Sequence, residues 1–283
     1  MSLFHERSGV FSREKTAFLV LAVLPAVWLA GLALSGGLGA RPWTQAIHFC
    51  GLWAIRFLVA TLAITPLRRL LSAPKLFFGR RILGLAALAY ALLHVGLFVI
   101  DQGPARALSE IALRFYLLIG AGAVVLLVLL GATSTDGALR RLGARRWTLL
   151  HRAVYGIAVL AALHFFIQSK LDVTEPVLVA GVIVLLFLYR IAFRVAGKVT
   201  PLGFALLAVA AAVLTGALET AWYGLATRVD PWLVAEANFS FDLGPRPVWW
   251  VLAGGLAVAL AGEVRQRGAA PRRRPRVAPS QPR

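Results

Sequence analysis

Hydrophobic positions in this chain fall in long blocks. Residues 16–34, TAFLVLAVLPAVWLAGLAL, carry no charge at all. A hydrocarbon core about 30 Å thick takes about 20 residues of helix to cross. Measured by that ruler the chain holds eight spans, near 16–34, 46–67, 82–100, 113–132, 147–167, 176–193, 201–223 and 247–262. The segments between them, such as TPLRRLLSAPKLFFGRR, STDGALRRLGARR and SKLDVTEP, collect helix breakers and charges and read as turns at the membrane surface. The expected fold class is all-α, a polytopic bundle of transmembrane helices.

Composition agrees. Apolar residues make up 59% of the chain and charged residues 15%, against roughly half and about a quarter in soluble domains. A formal net charge of +18 raises nucleic acid as a partner, but the basic residues sit in short clusters between spans and in the C-terminal tail, which argues for no nucleic acid. Arg68, Arg69, Lys75, Arg80 and Arg81 follow span two, Arg140, Arg141, Arg145 and Arg146 follow span four, and Arg190, Arg194 and Lys198 follow span six. Cytoplasmic loops carry such excesses, so both termini are expected in the cytoplasm. The first span exceeds the apolar region of a secretory signal and is read as retained. The tail RQRGAAPRRRPRVAPSQPR lacks the apolar content to fold, is read as disordered, and suits either contact with anionic membrane lipid or a stop signal that enforces orientation. A lone cysteine, Cys50, excludes an intrachain disulfide and a cysteine-ligated iron-sulfur cluster, and no C-x-x-C-H offers covalent haem attachment.

Candidate chemistry lies in the histidines. Span five, LLHRAVYGIAVLAALHFFIQ, holds His151 and His164 thirteen residues apart, and in span three His94 stands thirteen residues beyond Arg81. Both spans run outward, so His94 and His164 share a depth in the outer half of the membrane, with Arg81 and His151 about 20 Å nearer the cytoplasm. Two imidazoles at one depth on different helices suit the two axial positions of a b-type haem iron, an arrangement fitted to electron transfer. The bland alternative is that each histidine only hydrogen-bonds a neighbouring helix.

His151 is too far from His164 to share its iron and is open to two readings: ligand of a second haem, or interfacial residue beside Arg152. Arg80 and Arg81 suit an anion, either a haem propionate or a flavin phosphate. Arg56, near the middle of span two, needs an anionic partner, for which a propionate is the first candidate. His48, at the depth of His94 and His164, is a propionate or helix-end partner rather than a third ligand. His5 lies in the polar N-terminal segment and is read as solvated.

The ordered motifs HFCGLWAIRFLVATLAITPLRR, RRILGLAALAYALLHV, ATSTDGALRRLGARRWTLLHRAVY and ALHFF resemble the ferric-reductase-like transmembrane superfamily, and within it the MsrQ family of haem-binding membrane subunits of bacterial methionine sulfoxide reductase systems. The resemblance covers roughly residues 16–194. It implies a b-type cytochrome of the bacterial inner membrane, with one haem or two. Such a subunit takes electrons from a cytoplasmic flavin reductase or the quinone pool and passes them to a periplasmic molybdopterin-containing methionine sulfoxide reductase, which repairs oxidised periplasmic proteins. By position His94, His151 and His164 match the family's haem-associated histidines, and Arg80 and Arg81 its paired arginines. The family is also associated with FMN. The substrate site would lie on the partner, leaving this chain an electron-transfer subunit of an oxidoreductase. A stand-alone ferric or other transmembrane reductase and a non-redox scaffold are the alternatives. The layout expected is an N-terminal cytoplasmic segment (1–15), a haem-binding core (16–198), a two-helix extension with a periplasmic loop (199–263) and the tail (264–283). In the extension Trp222, Tyr223, Trp232 and Phe239 read as interfacial anchors, or as a docking surface for the periplasmic subunit.

Overall fold

The computed structural model describes residues 11–170, 172–242 and 244–268. In chain order the helices are α1 (Arg13–Leu34), α2 (Pro42–Leu70), α3 (Phe77–Gln102), α4 (Pro104–Leu113), α5 (Phe115–Ala132), α6 (Asp136–His151), α7 (Ala153–Ser169), α8 (Thr174–Ala196), α9 (Pro201–Ala226), α10 (Pro231–Ala237) and α11 (Pro247–Gly268), with a 3-10 turn at Pro74–Leu76. Eight of these segments are long and apolar enough to cross a membrane, in the order expected, with α6 and α7 forming one of the eight. The fold is all-α, and the chain is a multi-pass membrane protein.

Where the sequence suggested plain turns, the structure places short helices. α6 begins at the segment STDGALRRLGARR, because the Thr135 hydroxyl accepts from the Ala138 amide at 3.0 Å and Asp136 favours the first turn. Gly143, at φ 75°, then breaks it. α4 and α10 each open on a proline, whose missing N–H costs nothing at a helix start. Asp230 caps α10 through the Trp232 amide at 2.9 Å. α11 runs to Gly268, five residues into the stretch assigned to the tail. The remainder of that tail, 269–283, and His5 lie outside the described residues.

The main core is built from α2, α3, α5, α7 and α8, with Leu58, Leu62, Ala87, Ile157, Ala158 and Ile183 buried at its centre. α1 lies outside this core. It touches α3 where the Phe18 ring occupies the space over Gly79 and where the Tyr90 hydroxyl donates to the Ala22 carbonyl at 3.0 Å. Its other face exposes Val20, Leu24, Val27 and Trp28, as suits a lipid-facing helix.

Helices α9 and α11 form a second core with α8 around Leu185, Tyr189, Phe204, Ala208 and Val251. Lipid offers no hydrophobic drive for helix association, so close approach through small residues has to supply it. Gly255 meets Ala208, and Gly181 meets Thr215 and Val251. At the far end of α11, Arg265 and Gln266 donate to the Leu71 and Leu70 carbonyls, both at 3.3 Å, and so close the end of α2. The extension is thus packed into the bundle.

One half-buried arginine, Arg190, shows how the helices tolerate a break. Pro66 inside α2 has no N–H to give the carbonyl of Leu62, four residues earlier. Arg190 of α8 supplies that bond at 2.6 Å, and also reaches Tyr155 Oη at 3.1 Å and the Leu186 carbonyl at 2.7 Å.

Candidate metal centre

The α2–α3 and α5–α7 hairpins face one another, and each presents a histidine to the space between. The ring centres of His94 and His164 are 6.4 Å apart, with the ring planes at 80°. A metal gripped by two imidazole nitrogens at about 2 Å each holds the ring centres about 6 Å apart. The spacing fits one metal between them.

The tautomer fits as well. His94 Nδ1 lies 2.7 Å from the Ile47 carbonyl oxygen and His164 Nδ1 lies 2.8 Å from that of Tyr116. A carbonyl can only accept, so Nδ1 carries the proton in both rings and Nε2 keeps its lone pair. No protein atom hydrogen-bonds to either Nε2 among the described residues. This is the arrangement in which the second ring nitrogen orients a metal-ligating histidine. Gly51 and Gly120 lie against the two rings, where a Cβ would come within 3.0 Å of His94 Nδ1 and 2.9 Å of His164 Nδ1. The close approach of each ring to its carbonyl depends on the absent side chain.

The donor set narrows the kind of metal. No group of three or more His, Cys, Asp or Glu residues able to hold a metal ion occurs among the described residues. Two neutral imidazoles alone do not complete the coordination of a bare zinc ion, which takes four ligands. They do complete a metal whose four equatorial positions are already filled, as in haem.

The other sequence candidates lie around this pair. His48 is exposed on α2, next to the Ile47 that binds His94. Arg56, halfway along α2, finds an acidic partner that the sequence reading did not name: its guanidinium bonds both carboxylate oxygens of Glu175, at 3.2 and 3.3 Å, and lies over the Trp53 ring. Glu175 stands in the first turn of α8, so the charge of Arg56 is met at a helix end rather than at mid-membrane.

The structure places His151 apart from that pair. Its Nδ1 faces the Trp147 carbonyl at 3.1 Å, its Nε2 faces Ser134 Oγ at 3.4 Å, and its ring stacks on Trp147 at 3.8 Å between centres. Trp147 is itself anchored to the Thr133 carbonyl at 2.9 Å. Arg81 pairs with Asp136 at 3.3 Å. Arg80 forms no ion pair among the described residues and has Tyr155, Arg190 and Arg68 as its electrostatic neighbours. These residues form a basic patch at the opposite end of the bundle from His94 and His164.

Sequence reasoning found both histidines of the pair but missed their cradles. The available signal was a repeat: acceptor and histidine are 47 residues apart in one hairpin and 48 in the other, each with a glycine four residues after the acceptor.

A family model described as ferric reductase like transmembrane component matches residues 50–162. The protein-methionine-sulfoxide reductase heme-binding subunit MsrQ of Brucella anthropi is 43% identical over 183 residues, covering 63% of this chain and 82% of the relative. The subunit of the same name from Rhodospirillum rubrum is 39% identical over 182 residues, covering 62% and 86%. That from Brucella ovis is 41% identical over 172 residues, covering 60% and 77%. No solved structure matches the chain.

Proposed function

Because the chain belongs to the MsrQ family of heme-binding subunits of protein-methionine-sulfoxide reductases, we propose that it is the membrane cytochrome b of such a system, with His94 and His164 as the axial ligands of its haem. Held by these two histidines, haem would supply one-electron chemistry. The Ile47 and Tyr116 carbonyls hold each imidazole in one tautomer and direct its Nε2 inward. The observation that carries this reading is the pair of rings 6.4 Å apart, with neither Nε2 hydrogen-bonded among the described residues.

The Lys and Arg asymmetry assigns the basic patch of Arg80, Arg81 and His151 to the cytoplasmic side of the inner membrane, and the histidine pair to the periplasmic half. Arg80 and Arg81 suit the anionic end of an electron donor or of a cofactor: a flavin phosphate, a haem propionate, or the binding region of a quinone-pool or flavin-reductase donor. Electrons then leave on the periplasmic side toward a molybdopterin-containing methionine sulfoxide reductase that repairs oxidised periplasmic proteins. His151 is the candidate ligand for a second haem. The engagement of both its ring nitrogens within its own patch favours an interfacial role instead.

The test is a reduced-minus-oxidised spectrum of the purified full chain. The wild type is expected to show a b-type haem band, His94→Ala and His164→Ala each to lose it, and His151→Ala to keep it. A wild type without the band, or a band that survives in both His94→Ala and His164→Ala, refutes the assignment.

A further inference from the structure

The two histidines are held by the same device used twice. In α2 the Ile47 carbonyl takes the His94 hydrogen bond and Gly51 stands four residues on. In α5 the Tyr116 carbonyl takes the His164 hydrogen bond and Gly120 stands four residues on. An α-helical carbonyl at position i bonds the amide of i+4, and the side chain of i+4 borders its remaining lone pair. With glycine there, the oxygen keeps its helical bond and offers that second lone pair to a ring from the next helix. Both hairpins run in the same sense, so the two halves of the centre use one arrangement of carbonyl, glycine and histidine.

A single methyl group would fill either cradle. A Cβ at Gly51 would lie 3.0 Å from His94 Nδ1 and 3.1 Å from its Cε1, and one at Gly120 would lie 2.9 and 3.0 Å from the same atoms of His164. Each ring would have to retreat by a few tenths of an ångström, out of line with its carbonyl. Gly122, half a turn further along α5, meets no such demand, since nothing lies within 4 Å of a Cβ built there.

We propose that Gly51 and Gly120 are paired positioning residues, each uncovering a helix carbonyl so that it can bind Nδ1–H of one axial histidine and set that imidazole's donor strength. The inference rests on the reading of His94 and His164 as haem ligands. A good Nδ1–H···O=C bond pushes electron density toward Nε2, which favours the ferric over the ferrous iron. Weakening that bond raises the midpoint potential.

The experiment compares Gly51→Ala, Gly120→Ala and the control Gly122→Ala in the full chain purified with its haem. The readouts are haem per protein, the electron paramagnetic resonance signal of the low-spin ferric iron, and the midpoint potential. Both cradle variants are expected to show a raised potential and an altered low-spin signal, more so in Gly120→Ala where the fit is tighter, while Gly122→Ala matches the wild type. Potentials and signals in both cradle variants indistinguishable from the wild type overturn the inference and leave the haem reading intact. If Gly120→Ala does not accumulate, Gly51→Ala decides by the same two readouts. A wild-type chain with no b-type spectrum overturns both readings together.

Discussion

At the scale of single residues, two arginines make opposite cases. Arg56 is 39% exposed and its partner Glu175 is 48% exposed, an accessible pair of the kind usually worth under about 1 kcal/mol. Glu175→Gln is therefore expected to leave haem content unchanged. If Arg56 also serves a haem propionate, Arg56→Gln lowers haem retention while Glu175→Gln does not, and equal haem content in the two variants assigns the arginine to Glu175 alone. Arg190 is held from three sides and closes the Leu62 carbonyl that Pro66 cannot reach. Arg190→Met would leave that oxygen buried without a donor, a loss of about 1–3 kcal/mol. In a Pro66→Ala background the restored amide N–H bonds Leu62, so the same substitution is expected to cost less. Thermal unfolding of the four proteins in detergent measures the difference, and an identical cost in both backgrounds contradicts the account.

Among the elements, the extension is the part whose role changes most once its packing is known. Glu219 of α9 is 1% exposed and pairs with Arg246, and its Oε2 has no hydrogen-bond partner among the described residues. Removing one member of a buried pair costs about 3–5 kcal/mol because the other charge is stranded. Arg246→Met is expected to lower the melting temperature markedly and Arg246→Met with Glu219→Met to recover most of the loss, read by melting in detergent. Deleting everything from residue 200 would uncover Leu185 and Tyr189 and free the Leu70 and Leu71 carbonyls, so it would lower stability whether or not the extension binds a partner. Point changes separate the two roles. Trp222 packs on Phe166 of α7 at 5.1 Å between ring centres, whereas Trp232 and Phe239 are 72% and 77% exposed. Trp232→Ser with Phe239→Ser is expected to preserve turnover with the partner reductase if these rings are membrane anchors, and to lower it if they dock that subunit.

At the scale of the whole molecule, the basic clusters predict that the segment joining α5 to α7 faces the cytoplasm. A single cysteine introduced at Gly137 in a Cys50→Ala background is expected to resist a membrane-impermeant thiol reagent in whole cells and to react in inside-out vesicles. Labelling in whole cells would reverse the topology. The eight spans, their order and the shared depth of His94 and His164 were legible in the sequence, because apolar run length and a 1.5 Å rise per residue are local properties that no neighbour alters. The helices α4, α6 and α10 were less so, since short interfacial helices rest on capping rather than on apolar length. What only the tertiary structure decided was rotation and partnership: which face of α3 and of α7 turns inward, that Gly51 and Gly120 lie against the two rings, that Glu175 meets Arg56, and that Arg190 answers Pro66. Lipid and protein present the same apolar chemistry to a helix, so its sequence gives little sign of which face meets which. That choice rests on close-fitting contacts between residues dozens of positions apart.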